Sequence, residues 1–333
     1  AGHDISAGGL ITTLLEMCFS NVEGGMEISL DNMKEQDIVK ILFAENPGIV
    51  IQISDKHKNE VKKILEDAGI GFVKLGKPTD ERHILVSKDD ATYQFGIDYM
   101  RDVWYSSSYL LDRKQSMNGC AKKRFENYKE QPLEFVFDKS FTGKFSQYGI
   151  TPERRTPTGI KAAIIREKGT NGEREMAYML YLAGFDVKDV TMTDLISGRE
   201  TLEDINMIVF CGGFSNSDVL GSAKGWAGAF LFNPKAKAAL DNFYARKDTL
   251  SLGVCNGCQL MIELGLINPE HNKKAKMLHN DSHKFESKFV GVTVPMNRSV
   301  MLGSLSGSKL GIWVAHGEGK FSLPYEEDKY NVV

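Results

Sequence analysis

The sequence predicts an α/β fold in which a doubly wound parallel sheet follows a smaller α/β lobe. Segments with strand periodicity and segments with helical periodicity alternate along both halves of the chain, which is typical of this class. In the second half the strand segments are continuous apolar runs that end at glycine or polar turns. Strands of that kind are buried on both faces, so they belong in a parallel sheet between two layers of helices.

The first lobe is predicted to comprise residues 1–128. Apolar runs in it indicate strands at 26–30, 48–54 and 84–86. Asp55 is placed to cap a helix after the second run. A long helix rich in aromatic residues, which includes Phe95 and Trp104, is expected after the third.

Residues 129–159 have the composition of a linker, because Pro132, Pro152 and Pro157 interrupt a polar stretch that is also rich in glycine. The alternation of strands and helices resumes at residue 160, so residues 160–333 are predicted to form a second domain. Its sheet is expected to be mostly parallel, with strands at 162–165, 186–190, 207–210 and 250–254.

Charge and cysteine content narrow the classes of function. Lys and Arg total 41 against 44 Asp and Glu, a net charge of −3, which argues against a nucleic-acid or membrane-surface partner. No apolar run reaches the roughly 18 residues that a membrane-spanning helix needs. The five scattered cysteines fit a reducing cytoplasm better than a disulfide framework, and in that compartment a distinctive cysteine is more often catalytic.

The distinctive cysteine is Cys255, which lies between Gly253 and Gly257 where an apolar strand is followed by a helix. A nucleophile flanked by glycines at such a turn is typical of a nucleophile elbow, with Cys in place of Ser. The N-terminus of the following helix favours a thiolate and offers N–H donors. Two alternatives stay open from the residues alone: a redox pair with Cys258, or half of a zinc site that lacks a second pair of ligands.

A second glycine turn, Gly212-Gly213, follows another apolar strand and is therefore expected at the same carboxyl edge of the sheet. Its N–H groups are placed to face the carbon that Cys255 would attack, where they would form an oxyanion hole. Taken alone, a pair of glycines at this place indicates only a turn.

Four stretches of the second half resemble class I glutamine amidotransferases, namely 212–221, 225–227, 253–259 and 315–319. Together with the motif Gly-His-Asp-Ile-Ser-Ala-Gly-Gly-Leu at 2–10, their order and spacing resemble the family of large single-chain phosphoribosylformylglycinamidine synthases. The resemblance covers essentially the whole chain. It implies a flavodoxin-like glutaminase domain at 160–333. At 1–128 it implies the C-terminal half of a synthetase domain similar to aminoimidazole ribonucleotide synthetase.

The resemblance implies a ligase of purine biosynthesis, which converts formylglycinamide ribonucleotide, glutamine and ATP into formylglycinamidine ribonucleotide. Cys255 would be the nucleophile that releases ammonia from glutamine, and ATP and Mg²⁺ would be the cofactors. The residues implied at the oxyanion hole and the glutamine pocket are Gly213, Phe214, Asp218, Asn256 and Gln259. The implied partners are these small molecules and the rest of the same polypeptide.

Asp4 matches a magnesium ligand of the family and Ser6 matches a nucleotide contact. From the residues alone, both fit a cap of the following helix better than a Mg–phosphate site. The sequence departs from the family at Ala7, where many members carry an acidic residue. It departs again at Asn216-Ser217, which replaces a commoner aromatic–glycine pair.

Both ends of the sequence predict a piece of a longer polypeptide, since a motif begins at the first residues and an apolar–polar alternation is cut at Val333. The family's catalytic Pro-His-x-Glu motif does not occur in the sequence, so the isolated chain is expected to be weak or inactive. His316-x-Glu318 has the same spacing and is the alternative dyad, unless it lines a domain interface. The rival functions are a folded but catalytically incomplete interaction module and an unrelated Cys hydrolase of similar fold.

Overall fold

A computed structural model describes residues 1–130, 133–330 and 332–333. Gln131, Pro132 and Asn331 lie outside the described residues, and with them one proline of the predicted linker. The chain divides into two compact units, Ala1–Pro132 and Leu133–Val333. Each helix in the described part of the chain is too short or too polar to cross a bilayer.

Within its described residues, the first unit contains a four-stranded sheet and a two-stranded ribbon. Its strands are β1 (Gly2–Ile5), β2 (Gly25–Ser29), β3 (Gly48–Ile51), β4 (Gly76–Thr79), β5 (His83–Lys88) and β6 (Ala91–Gly96). Its helices are α1 (Gly9–Phe19), α2 (Ile38–Phe43), α3 (Lys58–Asp67), α4 (Ile97–Gln115) and α5 (Cys120–Asn127). The sheet has the order β4-β2-β5-β6, in which only β2 and β5 are parallel, and β1 pairs with β3 in antiparallel fashion.

Helix α1 supplies much of the core of this unit. Leu10, Leu14 and Cys18 recur at helical spacing and are buried together with Ile28 of β2 and Ile84 of β5. The apolar face of α1 therefore covers the parallel pair at the centre of the sheet.

Two predictions about the first unit are wrong. Phe95 lies in β6, because residues 91–96 pair with β5, and the long helix begins only at Ile97. Asp55 begins a 3-10 turn and does not cap α3, whose N-cap residue His57 makes no capping side-chain bond.

The second unit contains a four-stranded sheet and three two-stranded ribbons in its described residues. Its first strands are β7 (Lys161–Arg166), β8 (Thr170–Asn171), β9 (Asp186–Thr191), β10 (Met207–Phe210), β11 (Gly212–Gly213) and β12 (Leu250–Gly253). The later strands are β13 (Lys276–Leu278), β14 (Glu286–Thr293), β15 (Lys309–His316) and β16 (Lys320–Ser322). Its helices are α6 (Glu173–Leu182), α7 (Met192–Ser197), α8 (Lys224–Leu231), α9 (Pro234–Ala245) and α10 (Asn256–Glu263).

The four-stranded sheet has the order β12-β10-β7-β9, and all of its pairs are parallel. Counted along the chain, these strands are the fourth, third, first and second, which matches the flavodoxin-like order 2-1-3-4. The predicted flavodoxin-like, doubly wound sheet is therefore confirmed.

The central strands are buried on both faces, as their apolar sequences predict. Along β10, Ile208 and Phe210 pack into the larger core with α8 and α9, whereas Met207 and Val209 pack into a smaller core with α6. Strand β7 divides its residues between the two cores in the same alternating way. Strands β7 and β10 therefore each contribute side chains to the cores on both faces of the sheet.

The chain beyond α10 departs from the expected parallel sheet. Strand β14 pairs with β15, and β13 pairs with β16, both in antiparallel fashion and outside the parallel sheet. In β14 half-buried and exposed residues alternate, which is typical of a ribbon with one solvated face. This part of the unit brings residues 315–319 beside the end of β12.

Most of the predicted linker belongs to the second unit. The Arg154 guanidinium donates to the Asp186 carboxylate (3.1 Å) and to Phe185 O (2.8 Å), and it lies over the Tyr181 ring. The N–H groups of Thr158 and Gly159 also donate to Asp186, and with Arg154 they hold the pKa of its carboxyl below the ordinary value. A lowered pKa means that the attachment is complete at neutral pH and weakens only as the pH falls below about 4.

We expect Arg154→Ala to loosen this segment, because the guanidinium contacts Tyr181, Phe185 and Asp186 at α6 and β9. Cleavage by chymotrypsin at the exposed aromatic residues Phe141, Phe145 and Tyr148 should become several-fold faster. The measurement is limited proteolysis followed by mass spectrometry. Arg155→Ala is the matched control, because this neighbour is exposed, and equal cleavage of the two variants would contradict the role of Arg154.

Candidate functional site

Cys255 lies in a strained turn between β12 and α10. Its backbone angles are φ 52° and ψ −109°, a conformation that residues with a Cβ rarely adopt. The turn brings α10 very close to the sheet: a Cβ on Gly257 would lie 2.1 Å from Phe210 O, and one on Gly253 would lie 2.6 Å from Gly257 O. Only glycine fits these two positions, as a nucleophile elbow requires.

The Cys255 side chain is exposed, and its Sγ lies 3.5 Å from Ala315 O. Cys18 and Cys211 are buried, and Cys120 and Cys258 are partly buried. Burial raises the pKa of the thiols of Cys18 and Cys258, and it raises the pKa of Cys211 to about 11. Cys255 is therefore the thiol with the best access to a ligand from solvent.

The glycine turn after β10 lies directly against Cys255. A Cβ on Gly212 would be 3.3 Å from Cys255 Cβ, so the two turns are in contact. Gly213 has φ 112° and pairs with Thr170 in the short β8–β11 ribbon. The Phe214 N–H donates to Gly169 O (2.9 Å), so this N–H already has an acceptor.

The loop that follows contains three consecutive residues in the left-handed region: Asn216 (φ 51°), Ser217 (φ 57°) and Asp218 (φ 46°). Asn and Asp tolerate this region better than Ser, for which it costs roughly 1–2 kcal/mol. Asn216-Ser217 is the pair at which the sequence departs from the family it resembles. A glycine at the second position would relieve strain, so the departure has a local conformational cost.

Three of the predicted pocket residues are joined to one another. Asn256 Nδ2 donates to Asp218 Oδ2 (3.0 Å) and to Gln259 Oε1 (2.8 Å), and Asn256 Oδ1 accepts from the Ser215 N–H (3.0 Å). Gln259 Nε2 donates in turn to Glu318 O (2.7 Å). The structure therefore brings Asn256, Asp218 and Gln259 together, with the side chains of Asn256 and Gln259 buried.

His316 and Glu318 lie beside the site, where His316 Nδ1 and the Glu318 carboxylate each contact another residue. His316 Nδ1 is 2.9 Å from Asn280 Oδ1, and the ring packs on Gly319. The Glu318 carboxylate accepts from the N–H of Ser222 (2.8 Å) and from its hydroxyl. Residues 316–319, which begin at the last residue of β15, thus form a loop that closes one side of the Cys255 turn.

This loop is held by Asn280 and Ser222, two residues that the sequence did not predict as part of the site. Asn280 Nδ2 donates to His316 O (2.7 Å), and the N–H of Asn280 donates to Gly317 O (2.9 Å). Asn280 stands in a polar stretch without a motif, so no signal in the sequence marks it. Ser222 lies one residue after a stretch that carried the family resemblance, but nothing there indicates a partner 96 residues away.

Asp4 and Ser6 are exposed at the start of the first unit. Neither side chain caps α1, since the N-cap residue is Gly8 (φ 84°) without a side-chain bond, so the capping alternative is wrong. The Gly8 N–H donates to the Glu45 carboxylate (2.9 Å). Among the residues that the structure describes, no three Asp, Glu, His or Cys side chains converge as a metal site, and Asp4 offers one carboxylate.

Two family models match the chain. Residues 159–333, more than half of the sequence, match the CobB/CobQ-like glutamine amidotransferase domain. The chain belongs to the CobB/CobQ-like glutamine amidotransferase family. Residues 1–88 match a second model, the C-terminal domain of AIR synthase related proteins.

Relatives of this amidotransferase chain confirm the resemblance to phosphoribosylformylglycinamidine synthases. It is 38% identical to the probable phosphoribosylformylglycinamidine synthase, chloroplastic/mitochondrial, of Arabidopsis thaliana, over 98% of this chain and 23% of that protein. It is also 38% identical to phosphoribosylformylglycinamidine synthase of Homo sapiens, over 97% of this chain and 25% of that protein. The chain therefore spans about a quarter of the length of the curated relatives it matches.

A solved structure, PurLQS from Thermotoga maritima, is 27% identical and covers 50% of this chain and 70% of its own, with a TM-score of 0.40.

Gly257→Ala should destabilise the second unit of this amidotransferase, because the added methyl group would collide with the backbone of β10. We expect a loss of about 1–3 kcal/mol or more in the free energy of unfolding, measured by urea denaturation. Gly228→Ala is the control: it lies in α8, where an added Cβ meets its nearest neighbour at 3.7 Å, and it should be neutral or slightly stabilising. Equal unfolding midpoints for the two variants would refute the close approach of α10 to β10.

Cys255 should react first with a small alkylating agent at pH 8, well ahead of Cys18, Cys211 and Cys258, because those three thiols are at least partly buried and have raised pKa values. Peptide mapping after brief exposure to iodoacetamide measures the order of labelling. Cys255→Ser should remove the fast site and leave the slow ones unchanged. Preferential labelling of Cys258 would contradict this assignment.

Proposed function

We propose that the second unit hydrolyses the side-chain amide of glutamine at Cys255 and releases ammonia. One observation carries the proposal: an exposed thiol occupies a strained strand-to-helix turn, in a chain that belongs to a glutamine amidotransferase family. This context favours the nucleophile elbow over a redox pair, a zinc site or an unrelated Cys hydrolase.

The proposed reaction proceeds through a thioester. The Cys255 sulfur attacks the side-chain carbonyl carbon of glutamine, a C–S bond forms, and the C–N bond breaks as ammonia leaves with the thiol proton. Water then attacks the thioester, the C–S bond breaks, and glutamate leaves while the thiol regains a proton. The balance is glutamine plus water to glutamate plus ammonia.

The negative charge of each tetrahedral intermediate requires N–H donors. Asn256 is the first residue of α10, so its N–H has no acceptor within the helix, and the helix dipole favours negative charge there. Gly213 is the proposed second donor, because its turn touches Cys255. Phe214 would serve by its exposed ring beside the pocket and not by its N–H, which is bound to Gly169 O.

The ammonia is proposed to serve a ligase reaction, as the names of the curated relatives suggest. In that reaction formylglycinamide ribonucleotide, glutamine, ATP and water give formylglycinamidine ribonucleotide, glutamate, ADP and phosphate. We propose that the first unit and the rest of the same polypeptide supply the synthetase part of this reaction. The proposed compartment is the cytoplasm, and no nucleic-acid or membrane partner is proposed. The near-neutral charge of the chain supports the absence of nucleic-acid and membrane partners. The name of the plant relative describes that protein as chloroplastic/mitochondrial.

ATP and Mg²⁺ are proposed as cofactors of the first unit. The Asp4 carboxylate is 73% exposed and is a hard oxygen ligand of the kind that Mg²⁺ prefers, with phosphate oxygens and water as its other ligands. Ser6 would contact the nucleotide. When bound, the metal would neutralise phosphate charge.

We further propose that His316 and Glu318 frame the site and are not the proton-transfer pair, because the His316 Nδ1 that would bind Glu318 in such a pair lies against Asn280, and the Glu318 carboxylate accepts from Ser222. Cys255→Ser should lower glutamate release from glutamine by at least about 100-fold, whereas His316→Asn should stay within about 10-fold of the parent chain. The measurements are enzymatic detection of glutamate and mass-spectrometric detection of the thioester.

The outcomes separate the competing functions. Loss of activity in His316→Asn as deep as in Cys255→Ser would assign the dyad to His316 and Glu318. A parent chain that forms neither thioester nor glutamate would favour the non-catalytic interaction module.

A further inference from the structure

The Asn256 side chain is completely buried, and each of its polar groups has a partner. Its carbonyl oxygen accepts from the Ser215 N–H, and its two N–H bonds point to Asp218 and Gln259. An amide in this state has no remaining donor with which to bind a ligand. The side chain therefore acts on the residues around the pocket.

The loop that contains Ser215 and Asp218 has a strained backbone, so it needs contacts that fix its conformation. Loop 214–223 contains the left-handed residues Asn216, Ser217 and Asp218, and two more follow at Ser222 and Ala223. Left-handed backbone persists only where the surroundings over-determine it. Asn256 fixes the loop at Ser215 and, through the Asp218 carboxylate, at the Ala223 N–H (3.3 Å).

We infer that the side chain of Asn256 is a positioning residue, which fixes loop 214–223 relative to Cys255 so that the glutamine pocket is formed before the substrate binds. The inference rests on the proposed function. Asn256 directly follows the nucleophile, so the same residue whose N–H is proposed to donate to the oxyanion also sets the opposite wall of the pocket. A link through Gln259 to Glu318 O ties the loop at 316–319 to the same helix.

The test compares the parent chain with Asn256→Ala, Asn256→Asp and Asn206→Ala. Asn256→Asp keeps the size and the acceptor for the Ser215 N–H, but it places a second carboxylate against Asp218. Asn206 is the matched control, because its amide also joins two segments, Lys161 N (3.2 Å) and Asp248 (3.3 Å), at the opposite end of β10.

Two electrophiles are used on Cys255. A chloroketone analogue of glutamine needs a formed pocket, whereas iodoacetamide needs only an accessible thiol. We expect both Asn256 variants to react about 10–100-fold more slowly with the analogue, because two or three buried hydrogen bonds are lost. Their reaction with iodoacetamide should stay within about three-fold, and Asn206→Ala should match the parent chain with both reagents.

Hydrogen exchange provides a readout that does not depend on glutamine. Exchange should accelerate in residues 214–223 of the Asn256 variants and stay unchanged in the central strands. Unchanged exchange and unchanged reaction with the analogue would overturn the inference. So would equal slowing with both electrophiles together with faster exchange throughout the unit, because that pattern indicates general loss of structure.

The failure of the proposed function would look different. A parent chain whose Cys255 reacts no faster with the analogue than the cysteine of a small peptide would refute glutamine as the substrate. Exchange in 214–223 would then decide alone whether Asn256 holds the loop: acceleration confined to that segment supports the inference, and unchanged exchange overturns it.

Discussion

The close approach of α10 to β10 is the constraint on which the rest of the site depends. No side chain fits at Gly257, since its Cβ would overlap the carbonyl group of Phe210, so the helix begins almost in contact with the neighbouring strand. The chain passes from β12 into this helix in two residues, Val254 and Cys255, and Cys255 adopts a strained conformation there. That strain is what lifts the thiol out of the sheet edge and exposes it, whereas Cys211 one strand away remains buried.

The parallel sheet was predictable because its signal is local. Runs such as Ala162–Ile165 and 207–210 are apolar at every position, and only strands covered on both faces tolerate that composition. The cysteine turn was predictable for a similar reason, since the two glycines mark a backbone that no other residue can follow. Both predictions rest on short-range constraints that each segment carries in its own residues.

The features that the sequence did not predict depend on contacts between residues that are distant in sequence. Phe95 has an aromatic side chain that suits a helix or a strand, and its pairing with Ile84 decides for the strand. Asp218 and Gln259 have the polarity expected of ligand contacts, yet their partners are Asn256 and the backbone at Glu318. The neighbouring residues in the sequence do not show which way a polar side chain points. The sequence therefore places such residues near a site but does not show whether they contact the ligand or other residues of the protein.

Helix α10 is the common reference for both loops that flank Cys255. Its first residue holds loop 214–223 through a buried amide, and Gln259, one turn further on, holds the loop at 316–319. Buried amides suit this task because a saturated amide loses hydrogen bonds in any other arrangement, and the unpaired groups would be costly to bury. Because the helix itself is fixed against β10 at Gly257 and against β12 at Gly253, the position of both loops relative to the thiol follows from backbone packing. The geometry of the site therefore follows from the contact between Gly257 and Phe210 O. Because the backbone at this contact cannot move apart, the strained conformations of Cys255 and Ser217 are retained.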